Sequence, residues 1–402
     1  MMGSKSKLWT EMYDKYVVHT YSTLPVILND TKSKGVEIWD MDGKKYLDFW
    51  AGYSALNLGH HHPETWKVLR NSGLVTRACY DRYLALLGKT ISELVGFDAM
   101  ILPKNSGAEG VESAIKTARM WAYRTGMVSR NQSEIIVMNH NFHGRTITVI
   151  SFSSEKQYKN DFGPHTPGFI PVDYGDVKNI KKAITSNTIA VLMEPMQGEG
   201  GIIIPPVSYL NDVRALCDKH KILLILDEIQ TGLGRTGKMF CYEHNGIKPD
   251  LLILGKSLCG GTPAILSLVV GRRDIMELWQ PGDDGSTFGG NSAAAAVALE
   301  TFNVLEKENL IKNSAELGEY FKNQLKEIKN PLIKEVRGKG LFIGIEFFPE
   351  AGGARKYVNK LIEKGILCKE AHEHVLRISP PLTIGKEHID FFIEKFKEVL
   401  GG

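Results

Sequence analysis

The chain lacks the cysteine arrangement that would hold together a small secreted domain or a zinc site. Among its 402 residues there are only five cysteines, which is an odd number. They are widely separated and include no CxxC pair. This distribution disfavours both a disulfide framework and a thiolate metal site, and it favours a reducing compartment. The cysteines are Cys79, Cys217, Cys241, Cys259 and Cys368.

Long apolar runs and blocks of one charge sign are also missing. No run approaches the ~20 apolar residues that a membrane-spanning helix needs. Residues 1–21 lack both the hydrophobic core of a signal peptide and the composition of an organelle import signal. The 49 basic and 46 acidic residues give a net charge of only +3, so nucleic acid is not supported as a partner. We expect a cytoplasmic protein that binds neither membranes nor nucleic acid; whether a targeting segment was removed is left open.

What the chain does contain is an alternation of helical patterns and short apolar runs between about residues 81 and 300. Strands separated by helices imply crossover connections and a mostly parallel sheet, so the expected fold class is α/β. Helices are predicted at 84–94, 109–123 and 293–305. Strands are predicted at 100–102, 135–138, 148–152, 190–193, 222–226, 251–254 and 266–270.

The remaining chain is expected to form a smaller α+β domain. Its pattern predicts a helix over 306–328, strands at 335–347, 365–368 and 375–378, and a helix over 389–400. A chain of this length suits one large domain and a smaller one. We therefore predict an N-terminal segment, 1–50, that packs with the small domain, a large domain, 51–300, and a small C-terminal domain, 301–402.

Two predicted strands end on an acid and an amine. The run 222–226 is followed by Asp227, and the run 251–254 is followed by Gly255 and Lys256. In parallel sheets chemistry takes place just beyond the carboxyl ends of the strands, so Asp227 and Lys256 should meet at one edge. Pyridoxal phosphate requires a carboxylate beside its ring nitrogen and a lysine that forms a Schiff base with its aldehyde carbon. Either residue alone would be read as a helix cap or a solvated turn.

The string DEIQTGLGRTG at 227–237, followed by LGK at 254–256, resembles the class III aminotransferases, the ornithine, acetylornithine and GABA type of fold-type I pyridoxal phosphate enzymes. The resemblance covers nearly the whole chain, from about Tyr21 to Pro381. It implies a large domain with a mostly parallel central sheet, a smaller α+β domain, and pyridoxal 5'-phosphate as the cofactor, with Lys256 and Asp227 as the catalytic residues.

The cofactor residues come from four stretches. Small residues at 105–109 precede a predicted helix, whose N-terminus is suited to a phosphate group. By resemblance, Phe142 and Ile229 face the two sides of the ring, and Gln230 lies at its O3′ side. The GSTFGGN loop at 285–291 resembles a loop that reaches the phosphate in the neighbouring subunit, which implies a homodimer with the active site at its interface. The expected cofactor residues are Ser106, Gly107, Ala108, Phe142, Asp227, Ile229, Gln230, Lys256, Ser286 and Thr287.

Five residues are expected to bind the amino acid and 2-oxo acid substrates. Arg145, in NFHGRT at 141–146, offers a planar fork that suits a carboxylate. The resemblance makes Glu199 and Arg377 a switchable ion pair. Tyr21 and Tyr53 resemble positions at which the ornithine-specific members carry tyrosine. The implied reaction converts L-ornithine and 2-oxoglutarate to glutamate 5-semialdehyde, which cyclises to pyrroline-5-carboxylate, and L-glutamate.

Alternatives remain open at this point. Acetylornithine, GABA or lysine could be the amino donor, and some fold-type I relatives are racemases. A nucleotide-binding oxidoreductase is disfavoured because the only GxGxxG, at 232–237, lies late in the chain and past its strand. A catalytically silent interaction protein is disfavoured by the presence of Lys256 and Asp227. No metal site is predicted, since the consecutive histidines at 60–62 cannot all face one ion.

Overall fold

The computed structural model describes residues 3–401. Met1 and Met2 of the predicted 1–50 segment and Gly402 of the predicted 301–402 domain lie outside the described residues. The helices are α1 (Ser4–Tyr16), α2 (Ala51–Ser54), α3 (Pro63–Arg70), α4 (Arg82–Val95), α5 (Gly107–Arg124), α6 (Ile147–Ser151), α7 (Lys156–Lys159), α8 (Val177–Ala183), α9 (Tyr209–His220), α10 (Arg273–Met276), α11 (Ser292–Lys307), α12 (Leu310–Glu327), α13 (Arg355–Glu363) and α14 (Lys386–Gly401).

The strands belong to three sheets. They are β1 (Leu28–Lys34), β2 (Glu37–Asp40), β3 (Lys45–Asp48), β4 (Ala99–Lys104), β5 (Glu134–Met138), β6 (Phe169–Val172), β7 (Thr188–Met193), β8 (Leu223–Asp227), β9 (Leu251–Leu254), β10 (Ser267–Arg272), β11 (Ile333–Lys339), β12 (Phe342–Phe347), β13 (Ile366–Leu367), β14 (Lys369–Ala371) and β15 (Val375–Ile378).

The central sheet has seven strands in the order β4-β10-β9-β8-β7-β5-β6. Strands β6, β5, β7, β8 and β9 pair in parallel, whereas β10 pairs antiparallel with both of its neighbours. Every residue of β7, β8 and β9 is buried. This burial explains their continuous apolar sequences, because helices cover both faces of a parallel sheet. The predicted α/β fold class with a mostly parallel central sheet is confirmed.

The predicted strand 148–152 is wrong, because this segment forms helix α6. Its backbone begins with a helical hydrogen bond from Ile150 N–H to the carbonyl of Thr146. A short apolar run cannot be distinguished from a buried helical turn by periodicity alone. The sheet edge beside β5 is instead occupied by β6, which sequence reasoning missed. Strand β6 has four residues and contains Pro171, which a strand tolerates at a sheet edge.

Two further predicted elements are each divided in the structure. The helix over 306–328 is interrupted at Asn309, whose φ of 54° lies in the left-handed region, so α11 and α12 are separate. The strand over 335–347 is a hairpin, in which β11 and β12 pair antiparallel with Lys339 opposite Phe342. Gly340, with φ of 54°, makes this turn, and a side chain there would meet the backbone of Thr236 at 2.4 Å.

The two smaller sheets connect the chain ends. One has the order β1-β2-β3-β13, so a strand at Ile366–Leu367 pairs with the N-terminal strand β3. The other has the order β11-β12-β15-β14 and carries Arg377 on β15. The boundaries at residues 50 and 300 stay a prediction. None of the helices within residues 3–401 is both long enough and apolar enough to cross a membrane.

Candidate active site

A cavity of about 180 Å³ lies beyond the carboxyl ends of β8 and β9. The strand register places Asp227 opposite Ile253, three residues before Lys256, which explains why acid and amine meet at one edge. Seven of the residues predicted from sequence line this cavity together with His143, Gly144, Glu194 and Thr231. The seven are Gly107, Ala108, Phe142, Asp227, Ile229, Gln230 and Lys256.

Both oxygens of Asp227 are held in place. Its Oδ1 accepts a hydrogen bond from Ile229 N–H at 3.0 Å, and its Oδ2 lies 2.6 Å from Nδ1 of His143. Burial disfavours the charged imidazolium of His143, but the hydrogen bond and negative charge of Asp227 outweigh it, so the pKa of His143 is raised. The carboxylate is therefore fixed in one orientation at the wall of the cavity, held by the backbone N–H of Ile229 and the imidazole of His143.

Glu194 is a second buried carboxyl group, at the end of β7. Its two oxygens accept hydrogen bonds from the backbone N–H groups of Phe142 at 3.2 Å and Gly198 at 3.1 Å. Burial, together with the nearby charge of Asp227, raises the pKa of Glu194 to about 7, against the opposing effect of His143. Its hydrogen bond to Phe142 fixes the backbone that presents the phenyl ring to the cavity.

Lys256 is the first residue of a short 3₁₀ turn, Lys256–Cys259. Its φ of 43° lies in the left-handed region, which is uncommon for a residue other than glycine and occurs often at functional sites. Burial lowers the pKa of its ammonium group, while the negative charge of Glu199 opposes that shift. A larger share of neutral amine follows, which is the form that acts as nucleophile or base.

The N-terminus of α5 forms another wall. Ser106 caps the helix by accepting a hydrogen bond from Glu109 N–H at 3.3 Å. Gly107 lies so close to the side chain of Ile229 that an added Cβ would be 2.9 Å from its Cδ1. The glycine therefore leaves backbone N–H groups and the positive end of the helix dipole accessible beside a narrow slot.

Arg377 and Glu199 form the predicted ion pair, in which Nη1 of Arg377 contacts Oε1 of Glu199. Burial would raise the pKa of Glu199, but Arg377 and Lys256 outweigh it and the pKa is lowered. Arg377 is 1% exposed, and its Nε and Nη2 have no hydrogen-bond partner within the described chain. Its guanidinium lies 4.8 Å from the ring centroid of Tyr53. Two donor groups of a buried arginine thus face no protein acceptor.

The other predicted substrate residues lie around this pair. Tyr21 is 68% exposed, and its ring lies 6.4 Å from that of Tyr53. Arg145 is exposed and packs over the ring of Tyr158, 3.5 Å from the centroid, with Phe142 at 5.4 Å. Within residues 3–401 no carboxylate forms an ion pair with this arginine, so its guanidinium is held by aromatic stacking.

The loop that carries Ser286 and Thr287 is adjacent to the α5 N-terminus of the same chain. Oγ of Ser286 accepts a hydrogen bond from Asn105 Nδ2 at 3.0 Å. Thr287 is exposed, and the neighbouring Phe288 is 55% exposed. The predicted contact of these residues with a second subunit is not tested by a single chain and stays a prediction.

Three consecutive histidines at 60–62 point to three different partners. His60 Nε2 lies 2.9 Å from Oδ2 of Asp48, and His61 Nδ1 lies 2.8 Å from the carbonyl oxygen of Ser33. His62 Nε2 lies 3.1 Å from Oε1 of Glu308. Each ring therefore serves a separate structural contact.

Sequence reasoning assigned no role to His143, Glu194 and Tyr158. His143 and Glu194 carried a detectable signal, since His143 follows Phe142 directly and Glu194 follows a buried strand just as Asp227 does. Tyr158 carried no such signal, because only the fold places α7 against Arg145.

Arg235 connects the site to the C-terminal sheet. Its fully buried guanidinium donates hydrogen bonds to the carbonyls of Leu341 and Pro380 and to Oδ1 of Asn57. Asn57 follows the segment that carries Tyr53, and Pro380 follows Arg377, so this one side chain fixes two parts of the candidate site. Burial lowers the pKa of Arg235 to about 9.

We expect Arg235→Met to lower the free energy of unfolding by about 3–5 kcal/mol, because several buried acceptors lose their donor. Thermal and urea unfolding measure this, with Arg235→Lys as the control that keeps the charge but not the planar fork. Unfolding transitions of Arg235→Met that coincide with the unsubstituted protein would contradict the assignment of Arg235 as a structural link.

The aspartate and lysine at the carboxyl ends of neighbouring strands are the pair that pyridoxal phosphate requires, so fold and site indicate a pyridoxal phosphate-dependent enzyme. Residues 18–400 match the family model described as aminotransferase class-III. The chain therefore belongs to the class III aminotransferases, and its cofactor is pyridoxal 5'-phosphate, as the sequence predicted.

The chain is similar over nearly its full length to ornithine aminotransferases and to one acetylornithine aminotransferase. The ornithine aminotransferases of Brevibacillus brevis and Bacillus subtilis are each 47% identical over 401 residues, which cover 99% of this chain and 99% and 98% of those proteins. The crystal structure of the Toxoplasma gondii ornithine aminotransferase has a TM-score of 0.95 and 39% identity, covering 98% of this chain and 94% of that one. An acetylornithine aminotransferase from Elizabethkingia anophelis has a TM-score of 0.88 and 36% identity, covering 98% of each chain.

Proposed function

We propose that this chain is an ornithine δ-aminotransferase. It converts L-ornithine and 2-oxoglutarate to glutamate 5-semialdehyde, which cyclises to pyrroline-5-carboxylate, and L-glutamate. The observation that carries the proposal is the pairing of Glu199 with Arg377 near Lys256, combined with a separate arginine, Arg145, that has no acidic partner in the described chain. Such a site offers two arginines, Arg145 and Arg377, that can bind the carboxylates of the two substrates in turn.

The residues at the cavity fit pyridoxal phosphate. Asp227 supplies the carboxylate for a protonated ring nitrogen, Lys256 supplies the amine for the aldehyde, and the α5 N-terminus supplies N–H groups for the phosphate. Phe142 and Ile229 would hold the ring from its two sides, and Gln230 would hydrogen-bond its O3′ edge. When bound, the cofactor withdraws electrons from the substrate carbon that carries the amine, which makes the hydrogen on that carbon acidic.

Lys256 has two tasks in this site. Its amine would hold the aldehyde of the cofactor, and the freed amine would take the proton from the δ-carbon of ornithine as general base and return it as general acid. The lowered pKa of Lys256 supports this role, because the neutral amine is the proton acceptor. Asp227 would supply the carboxylate that favours a protonated ring nitrogen, and His143 holds this carboxylate in place through its Oδ2.

Glu199 selects between the two substrates. While it pairs with Arg377, the α-carboxylate of ornithine goes to Arg145 and Tyr21, and the δ-amine points to Lys256. When Glu199 turns away, Arg377 binds the α-carboxylate of 2-oxoglutarate. The two unpartnered donors of Arg377, Nε and Nη2, support this exchange, since a buried arginine with unsatisfied donors is suited to bidentate recognition of a carboxylate. Tyr53 packs on the guanidinium and forms a wall of the pocket.

Replacing Arg145 with alanine tests the donor assignment. We expect KM for ornithine to rise by roughly 10–100-fold, because a charge-assisted hydrogen bond worth about 1.5–3 kcal/mol is lost. KM for 2-oxoglutarate should change little, and Arg145→Lys should recover part of the loss. The matched variant Arg377→Lys should show the opposite pattern. If KM rose equally for ornithine and 2-oxoglutarate in Arg145→Ala, the two substrates would not have separate carboxylate-binding residues.

The amino donor itself is tested by half-reactions. The purified holoenzyme is mixed with ornithine, N-acetylornithine, GABA or lysine, without an oxo acid, and the cofactor absorbance is followed. Ornithine should give the largest kcat/KM and a trappable pyrroline product. A better acetylornithine or GABA reaction would replace ornithine as the donor, and D-amino acid formed without any oxo acid would indicate a racemase.

We also propose a cytoplasmic homodimer with the active site at its interface. Large exposed apolar side chains, among them Tyr80, Leu74 and Phe288, are supporting observations, because exposed apolar surface marks protein interfaces. The five free cysteines support a reducing compartment. Light scattering tests the dimer. Mixing inactive Lys256→Ala and Thr287→Ala chains tests the shared site, since restored activity requires residues from both subunits.

A further inference from the structure

We propose that His140, Glu155 and His372 form a binding site for one divalent transition-metal ion of the zinc type. Two imidazoles and one carboxylate can each place a ligand atom so that all three atoms lie within 4.8 Å of one another. The proposed function gives these residues no task, and it is not needed for this inference, because metal binding is measured without turnover.

The three residues come from distant parts of the chain. His140 follows β5 of the central sheet, Glu155 precedes α7, and His372 lies in the turn between β14 and β15 of the C-terminal sheet. A bound ion would thus join the two sheets across a recess of about 260 Å³ that Phe142, Tyr158 and Glu199 also line. The site lies beside the Glu199–Arg377 pair but contains neither member of it.

The backbone fixes the positions of the ligands. His140 N–H donates a hydrogen bond of 2.8 Å to Oγ of Ser154, the residue directly before Glu155, so the two loops are held together. His140 and His372 both adopt left-handed backbone conformations, with φ of 58° and 60°. Such conformations are uncommon outside glycine, and histidine is one of the few residue types enriched there. Both ligand positions therefore have a backbone conformation that histidine adopts more readily than most residues, and the two rings lie 6.2 Å apart between centroids.

Rotation of the side chains alone would bring the three ligand atoms to the distances found around a zinc ion. Ligand atoms about 2.0–2.1 Å from a tetrahedral zinc ion lie roughly 3.4 Å from each other. Nδ1 of His140 is already 3.6 Å from Oε1 of Glu155. Their side chains are 60% and 36% exposed, so a shift of about 1 Å requires little repacking.

The donor set selects the kind of ion. Imidazole nitrogens favour zinc, copper, nickel and iron over magnesium and calcium, which prefer oxygen ligands. Two histidines and one glutamate also match the three-ligand set of zinc sites that keep a fourth position open. In such a site, water or a small carboxylate would occupy the fourth position. Magnesium at the same concentration should not compete.

The test measures zinc binding to the holoenzyme by isothermal titration calorimetry, in a Cys79→Ser background that removes the exposed thiol. We expect one zinc ion per chain. Asparagine tolerates the left-handed backbone but is a poor zinc ligand, so His140→Asn and His372→Asn should each weaken binding at least about tenfold, as should Glu155→Gln. His220→Asn, an exposed histidine at the end of α9, is the matched control and should bind as the background does.

A second readout tests the bridge between the sheets. Zinc should raise the melting temperature of the background protein and of His220→Asn, because an ion that binds only the folded state stabilises it. This rise should vanish in His372→Asn. The proposal is overturned if zinc binding is unchanged in all three ligand variants, if no zinc binds, or if the melting temperature of His372→Asn rises as much as that of the control.

Discussion

Lys256→Ala is expected to abolish transamination while leaving the protein folded. Lys256 is the only lysine that lines the cavity beside Asp227 in the described chain, and the proposed function has its amine both hold the cofactor and move the substrate proton. General acid–base catalysis alone contributes about 10²–10⁴-fold, and loss of the covalent route adds to this, so steady-state turnover should fall below detection. The measurement is the ornithine half-reaction together with the steady-state rate.

A second readout separates loss of chemistry from loss of folding. Borohydride should attach the cofactor covalently to the unsubstituted protein on the peptide that contains Lys256, and it should attach none to Lys256→Ala. Lys312→Ala removes an exposed lysine of α12 and should match the unsubstituted protein in both assays. Covalent attachment that persists in Lys256→Ala would move the cofactor to another lysine and overturn the assignment.

Asp227→Asn should produce the second largest loss. The amide keeps the shape of the carboxylate and the hydrogen bond from Ile229 but carries no charge, so the cofactor ring nitrogen loses the partner that favours its protonated form. Removing a preorganised electrostatic group from an active site costs about 10²–10³-fold in kcat. We expect a loss of at least this size, with kcat reduced far more than cofactor content.

His143→Asn provides the comparison for that experiment. His143 contacts Oδ2 of Asp227, whereas Ile229 N–H contacts Oδ1, so we expect His143 to act by orienting the carboxylate. We expect a smaller loss of kcat than in Asp227→Asn, with the cofactor still bound. If both variants lose the cofactor but retain kcat per bound cofactor, Asp227 is an anchor and has no electronic role.

Much of the catalytic centre was predictable because it is encoded locally. Asp227 and Lys256 each follow a buried apolar strand, and parallel neighbours bring their carboxyl ends to one edge. The same rule applies to Glu194 after β7, whose position was visible in the sequence although its hydrogen bonds to Phe142 and Gly198 were not. Gly107 was expected just before the predicted helix, and it is the first residue of α5.

Predictions that depended on short apolar runs were less secure. Residues 148–152 form a helix because the adjacent sheet edge is taken by β6, and nothing within the five residues records that competition. The interruption at Asn309 was missed for a related reason. The amphipathic periodicity continues across Asn309, so the pattern does not reveal a break. The break depends on the left-handed backbone conformation of this one residue, which separates α11 from α12.

The fold class, the family and the cofactor could be predicted from the amino-acid sequence, and the same sequence led to the proposal that Asp227 and Lys256 are the catalytic residues. Each of these rests on a local string or on a strand end, and local geometry fixes where such a residue points. The contacts between separate segments became visible only in the folded chain: His143 with Asp227, Tyr158 with Arg145, and Arg235 with the carbonyls of Leu341 and Pro380. The proposed metal ligands belong to the same group. Such contacts join residues tens to hundreds of positions apart, and chain spacing holds no information about them until the sheets have packed.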